Sequence, residues 1–81
     1  MDRSEILSKL TDLMRDVFDE EDLVATDEMT ADDVADWDSA NHVRLIVALE
    51  EEFHITLTAD EITAPENVGE LVDLIAAKLK S

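Results

Sequence analysis

Three stretches of the chain repeat apolar residues at three- and four-residue steps, and this spacing limits the chain to a helical fold. The stripes lie at about residues 3–18, 39–53 and 67–80. An apolar stripe of that period lies on one face of a helix and must be buried against another element. The 81 residues suffice for one small domain. The sequence therefore predicts a single all-α domain over residues 1–81.

Capping motifs mark where the helices begin. A polar residue that can accept a backbone N–H, often with an acid three residues later, precedes each apolar stripe. One such motif also predicts a short helix at about 59–63, which Pro65 ends. The expected fold is a small four-helix bundle, with three longer helices, one short helix and a long loop between helices one and two. The capping residues are Asp2 with Glu5, Asp38, Thr58 with Glu61, and Asn67 with Glu70.

The long loop, at about residues 19–37, is longer than a compact domain usually tolerates without a function. Thr30 followed by Asp33 indicates a single helical turn within it. Scattered apolar residues are expected to attach the loop to the core. They are Leu23, Val24, Met29 and Val34.

Acidic residues outnumber basic ones by 22 to 6, and the excess is concentrated in the middle of the chain. Residues 16–43 contain eleven acidic residues and no lysine or arginine. A net charge of −16 repels nucleic acid phosphates and anionic lipid headgroups, and it attracts basic proteins. The acidic middle is either a solvated loop that maintains solubility or an electrostatic docking surface. Composition alone favours the first interpretation.

The chain contains no cysteine, which excludes a disulfide framework, a thiolate zinc site and a thiol nucleophile of its own. Residues 1–10 are charged and lack an uninterrupted apolar run, so we expect no signal peptide. No segment approaches the roughly 18 consecutive apolar residues of a membrane span. We therefore expect a monomeric, cytoplasmic protein that binds neither nucleic acid nor membranes.

The second helix has two distinct faces when residues are placed about 100° apart. The arc assigned to the core contains Leu45, Ile46, Leu49 and Phe53. The other arc mixes small, apolar and charged side chains, namely Ala40, Arg44, Val47, Ala48 and Glu51. That arc begins one residue after Ser39, and it is either an ordinary solvated face or a partner-binding face of modest size. Glu50 is expected at the boundary of the core arc.

The sequence around this helix start resembles the acyl carrier proteins. Their signature is Asp-Ser-Leu at the start of the second helix, commonly followed by a run that ends in Ala-Leu-Glu-Glu-Glu-Phe. Here Asp38 and Ser39 precede the same run, which extends from Ala48 to Phe53. The resemblance covers the whole chain, because length, acidity, helix order, the long first loop and the short third helix all match.

The resemblance implies that Ser39 accepts 4′-phosphopantetheine from coenzyme A through a phosphopantetheinyl transferase. A hydroxyl at a helix start beside a loop is accessible to an enzyme, and the backbone N–H groups there suit a phosphodiester. The arm would supply the thiol that the chain lacks, and it would carry acyl groups as thioesters. Serine is also common at helix starts for structural reasons alone, but the surrounding motif favours attachment.

For partners, the resemblance implies that acids on and before the second helix meet Lys and Arg side chains of acyl-transferring, synthase or ligase enzymes. Asp38, Glu50 and Glu51 occupy the matching places. Exposed pairs of this kind steer the encounter more than they hold the complex. The acyl pocket is expected on the core side, although core packing explains the same residues equally well. Its candidate residues are Ile46, Leu49, Phe53 and Ile62.

The chain departs from the family pattern at two positions on the expected partner face. Ala40 replaces the usual leucine after the serine, and Arg44 stands where acids are common. The sequence assigns Trp37, just before the motif, no role beyond pinning the loop to the bundle. The departures favour a specialised, free-standing carrier in a dedicated pathway over the housekeeping enzymes of fatty-acid synthesis. Fatty-acid, polyketide and related pathways all stay open.

Two other hypotheses stay open: an aminoacyl or peptidyl carrier of the same fold, and an unmodified acidic helical adaptor that binds a basic protein. An enzyme is not expected, because His42 and His54 lack a triad-like context. His42 is expected to be exposed or to lie near the arm. No metal site is expected, because the acidic stretch 27–38 lacks the spacing and the glycine of a calcium loop, while loose binding of divalent cations by the acidic loop stays open.

Overall fold

The four helices of the chain begin and end within one residue of the positions that the sequence indicates. The computed structural model describes residues 1–80; the single-domain prediction also includes Ser81, which lies outside the described residues. This range contains no strand, which confirms the all-α bundle, and a 3-10 turn at Ala31–Asp33 lies in the long first loop. The helices are α1 (Arg3–Phe18), α2 (Ser39–Phe53), α3 (Ala59–Thr63) and α4 (Val68–Lys80).

Side-chain caps fix the starts of α1 and α2 as expected. The Asp2 carboxylate accepts a hydrogen bond from the Glu5 N–H at 2.9 Å. The Asp38 carboxylate accepts one from the Asn41 N–H at 2.8 Å. Each cap pairs a backbone donor that the first helical turn leaves unsatisfied.

The two later helix starts differ from each other. The Thr58 hydroxyl accepts from the Glu61 N–H and the Glu61 carboxylate accepts from the Thr58 N–H, so α3 has the reciprocal box that the sequence indicates. At α4 the Glu70 N–H donates to the Asn67 side chain, but the Glu70 carboxylate accepts from the Glu66 N–H instead. The prediction of a reciprocal box at Asn67 is therefore half right.

The core lies where α1 packs against α2 and α4. Most residues of the stripes that the sequence assigns to the interior are buried in all three helices, and Leu13, Val17 and Leu79 are partly buried against the core. None of the helices within residues 1–80 is long and apolar enough to span a membrane. The buried apolar residues of the helices are Ile6, Leu10, Met14, Phe18, Leu45, Ile46, Leu49, Phe53, Val68, Leu71, Val72 and Ile75.

The long loop is attached to the bundle by apolar side chains, with one exception to the prediction. Val34 is buried, and Leu23 and Met29 are partly buried against the core. Val24 is 62% exposed, so its expected role in attaching the loop is wrong. Its neighbour Ala25 is buried instead.

Backbone hydrogen bonds connect the same loop to the start of α4. The Val68 N–H donates to the Met29 carbonyl and the Gly69 N–H donates to the Asp27 carbonyl, both at 2.9 Å. A Cβ atom at Gly69 would lie 3.1 Å from the Asp27 backbone oxygen, so a larger residue would have to push this part of the loop away by a few tenths of an ångström. The two hydrogen bonds hold the loop along α4 before it enters α2.

Candidate functional site

Ser39 is the first residue of α2, and its side chain is exposed. The residue before it, Asp38, holds the helix start through its bond to the Asn41 N–H. The Asn41 side-chain amide in turn donates to the Asp36 carbonyl at 2.8 Å, which ties the last loop residues to the first helical turn. The Ser39 hydroxyl therefore lies at a fixed, accessible point on the surface.

A cavity of about 550 Å³ opens beside Ser39. Its walls come from the end of the long loop, the first turn of α2, α3 and the start of α4. The lining is mixed, since Trp37, Val43 and Leu71 supply apolar surface while Ser39 and His42 supply polar groups. Its volume lies within the range of roughly 300–1,000 Å³ that small-molecule sites occupy.

The cavity includes one of the four residues that the sequence proposes for an acyl pocket. Ile62 of α3 lines it. Ile46, Leu49 and Phe53 are at most 4% exposed and belong to the core, outside the cavity lining. Their role in holding an acyl chain stays a prediction, whereas their role in core packing is part of the fold.

The imidazole of His42 connects three parts of the site, a feature that the sequence does not reveal. The Trp37 indole N–H donates to His42 Nδ1 at 3.0 Å, and His42 Nε2 lies 2.9 Å from the Ile62 carbonyl oxygen. An indole can only donate and a carbonyl can only accept. The neutral ring with its proton on Nε2 is the tautomer that satisfies both contacts. His42 is half-buried rather than exposed.

Ring packing joins this group to the core. The Trp37 ring lies 5.5 Å from the Phe18 ring and 6.1 Å from the His42 ring, measured between centroids. Phe18 is the last residue of α1 and is buried. Trp37 therefore pins the loop to the bundle, as the sequence suggests, and it also donates to the α2 histidine. In the sequence, the only local sign of this contact is that a tryptophan and a histidine lie five residues apart.

The outward face of α2 has the composition that the sequence indicates. Val47 is 49% exposed, and Ala40, Arg44 and Glu51 are exposed as well. Val43 is 56% exposed and extends the apolar part of this face toward the cavity.

The charged residues of α2 do not all have the same surroundings. The Glu50 carboxylate is half-buried and accepts the Leu57 N–H at 2.8 Å, so it is engaged within the chain. Glu51 is exposed. The Arg44 guanidinium donates to the Asn41 side chain at 3.3 Å and forms no ion pair with the rest of residues 1–80. The exposed α2 face thus presents an acid and an unpaired cation.

An ion pair connects α3 to α4. The Lys78 ammonium lies 2.8 Å from the Glu61 carboxylate. That contact, together with the Thr58 N–H, lowers the pKa of Glu61 from its ordinary value. Across residues 1–80, no group of three or more His, Asp or Glu side chains is arranged to hold a metal ion.

Comparison with known proteins agrees with this geometry. Residues 8–75 match the family model described as a phosphopantetheine attachment site. The chain is also similar to the solution NMR structure of a holo acyl carrier protein from Geobacter metallireducens. The two share 41% sequence identity and a TM-score of 0.87, over 93% of this chain and 86% of that one.

The residues also fit a covalently attached arm. An exposed serine hydroxyl stands at a helix start, beside a cavity of mixed lining into which an arm of this kind can fold back. The helix order, the family match and the structural match agree with one another. The chain therefore belongs to the acyl carrier protein family, whose members carry covalently bound 4′-phosphopantetheine and are not themselves catalytic.

Proposed function

We propose that Ser39 is the attachment residue for 4′-phosphopantetheine and that the protein carries acyl groups between enzymes of a fatty-acid, polyketide or related specialised pathway. The observation that supports this assignment is the position of Ser39. It is the exposed first residue of α2, and its side chain borders the cavity beside that helix start. When bound, the arm supplies a thiol that holds the acyl group as a thioester.

Coenzyme A is the only donor that the attachment reaction requires. The Ser39 hydroxyl oxygen forms a new bond to the phosphorus that bears pantetheine. The bond from that phosphorus to the adenosine bisphosphate part of coenzyme A breaks, and adenosine 3′,5′-bisphosphate leaves. The hydroxyl proton passes to a base of the phosphopantetheinyl transferase.

The residues around Ser39 prepare this site without taking part in the chemistry. Asp38 caps α2 through the Asn41 N–H and so keeps the serine at the helix start. The positive end of the α2 dipole favours the phosphodiester that results. Acids on and before α2, such as Asp38 and Glu51, steer basic patches of partner enzymes toward the arm. Tethering then raises the concentration of the acyl group at each partner.

Mass spectrometry tests the attachment residue directly. The intact chain is incubated with coenzyme A and a broad-specificity phosphopantetheinyl transferase, and its mass is measured. We expect the mass of one arm to be added to the wild type and to Ser8→Ala, a matched control at an exposed serine of α1. We expect no addition to Ser39→Ala.

Two results would contradict the assignment. Addition of an arm to Ser39→Ala would place the attachment elsewhere in the chain. A wild-type chain that stays unmodified by every transferase able to load other carriers would favour the unmodified adaptor.

The two departures from the family pattern on the α2 face support the proposal that the protein has a dedicated set of partner enzymes. Arg44 is exposed and unpaired within residues 1–80, and Ala40 removes an apolar contact beside Ser39. Partner enzymes selected for a uniformly acidic helix would place a basic side chain against Arg44. The mass of the protein isolated with its native cargo distinguishes an acyl group from an aminoacyl group. An aminoacyl group would favour the aminoacyl-carrier hypothesis.

A further inference from the structure

The short helix α3 is held in place mainly by polar contacts, with Ile62 packed only partly against the core. None of its residues, Ala59–Thr63, is buried. The Ile62 carbonyl accepts from His42 of α2, and the carboxylate of the preceding residue, Glu61, pairs with Lys78 of α4. Segments with few buried apolar contacts open at the lowest free energy. α3 is therefore the wall of the cavity that can move most easily.

The contact on the cavity side is a two-step chain of hydrogen bonds. Trp37 donates to His42, and His42 donates to the Ile62 carbonyl, so a neutral imidazole joins the loop, α2 and α3. The Trp37 ring is itself packed on buried Phe18. We call the three residues Trp37, His42 and Ile62 the clasp.

The clasp is part of the cavity wall beside Ser39. All three of its residues line the cavity, together with Ser39 itself. An acyl group on an arm from Ser39 can enter this space without displacing the core residues Leu49 and Phe53. Whether the group stays sheltered there depends on the distance between α3 and α2, which the clasp sets.

We propose that His42 is a positioning residue that keeps α3 closed against α2 and thereby shelters an acyl group of short to medium length in the cavity. This inference rests on the proposed attachment at Ser39. It adds that the retention of cargo is set by a side chain that is not the point of covalent attachment. Loss of the clasp opens α3 and exposes the cargo to nucleophiles in solution.

The test begins with the chain before an arm is attached. In His42→Ala we expect the amide hydrogen of Ala64, which bonds to the Asp60 carbonyl within α3, to exchange about fivefold faster. That factor is the change in an opening equilibrium when one ordinary hydrogen bond is lost. The indole N–H resonance of Trp37, the single tryptophan, should shift upfield because its acceptor is gone.

The second part uses the chain loaded with a hexanoyl arm from hexanoyl coenzyme A, with loading checked by mass. We expect hydroxylamine to cleave the thioester of His42→Ala about fivefold faster than that of the wild type. His42→Gln should restore the rate to within about twofold, since its amide keeps one acceptor and one donor. Asp2→Ala is the matched control, because it removes a helix cap of similar energy from α1, outside the cavity.

The outcomes separate the two proposals. Failure to load any arm on Ser39 contradicts the proposed function, while the exchange of Ala64 and the Trp37 resonance still decide whether the clasp holds α3. Loading without a change of cleavage rate in His42→Ala overturns the inference alone. The inference is also wrong if Asp2→Ala accelerates cleavage as much as His42→Ala, or if α3 exchange is unchanged in His42→Ala.

Discussion

Two neighbouring helices, α3 and α4, both begin at a side-chain cap but are held in the fold by different forces. Five residues of α4 are buried, whereas no residue of α3 is. A buried aliphatic side chain contributes about 1.5–3 kcal/mol relative to an exposed one, and a hydrogen bond about 1 kcal/mol. The position of α4 is therefore fixed by the core. The position of α3 depends on a few directional contacts, each of which can be lost alone.

Replacing one isoleucine by alanine in each helix should give the largest difference in the free energy of unfolding. Ile75 of α4 is fully buried and Ile62 of α3 is half-buried. Ile75→Ala should lower the free energy of unfolding by about 2–5 kcal/mol, because it leaves a cavity in the core. Ile62→Ala should lower it by about 1 kcal/mol. Urea denaturation followed by far-UV circular dichroism measures both.

If Ile75→Ala fails to fold, Ile75→Val serves in its place, with an expected loss of about 0.5–1.5 kcal/mol. Equal losses for the two alanine variants would show that α3 is held by burial after all, and the comparison of the two helices would then be wrong.

Removing the indole donor of the clasp should have a smaller effect on the free energy of unfolding. Trp37→Phe keeps a ring against Phe18 but removes the N–H that donates to His42. We expect a loss of about 1 kcal/mol in the free energy of unfolding. In the double variant with His42→Ala, the total loss should be smaller than the sum of the two single losses, because both break the same hydrogen bond. Additive losses in urea denaturation would mean that the two side chains act independently.

The smallest expected effect is the pH dependence of the contact between α3 and α4. Lys78 first, and the Thr58 N–H second, lower the pKa of Glu61 below its ordinary value of 4.5. A depressed folded-state pKa gives a contribution that is fully present above the unfolded value and is lost as pH falls through the folded value. The contact is partly exposed, so solvent screening keeps its contribution small.

Glu61→Gln provides the comparison, since it keeps the shape of the side chain and removes its charge. The melting temperature of the wild type should exceed that of Glu61→Gln at neutral pH, and the difference should shrink as the pH falls below 4.5. A difference that does not change with pH would show that the charge of Glu61 does not hold α3 to α4.

The features of the fold that depend on residues close together in the sequence can be predicted from the sequence. The apolar stripes and the caps at Asp2, Asp38 and Thr58 predict the helices to within one residue. The start of α2 at Ser39 follows from the same local rules, whereas the role of Ser39 is indicated by the family resemblance. These features are predictable because helix period and capping involve residues only three or four positions apart.

The contacts that the sequence does not reveal join distant or unrelated segments. Glu50 is half-buried at the boundary of the core arc, as expected, but the hydrogen bond that its carboxylate accepts from the Leu57 N–H is not indicated by the sequence. His42 has no local partner in the sequence that would indicate a bond to Ile62, twenty residues away. Each such contact depends on how a helix meets another segment in space, which the apolar pattern alone does not specify.

The sequence by itself determined that this chain forms four helices, that its middle is acidic and that a serine stands at the start of the second helix. Only the tertiary structure decided that the cavity lies beside Ser39 and that Trp37, His42 and Ile62 close one of its walls. The physical reason is the range of the forces. Helix period and capping act within one turn of the chain, whereas a cavity and its polar contacts exist only where separate elements meet.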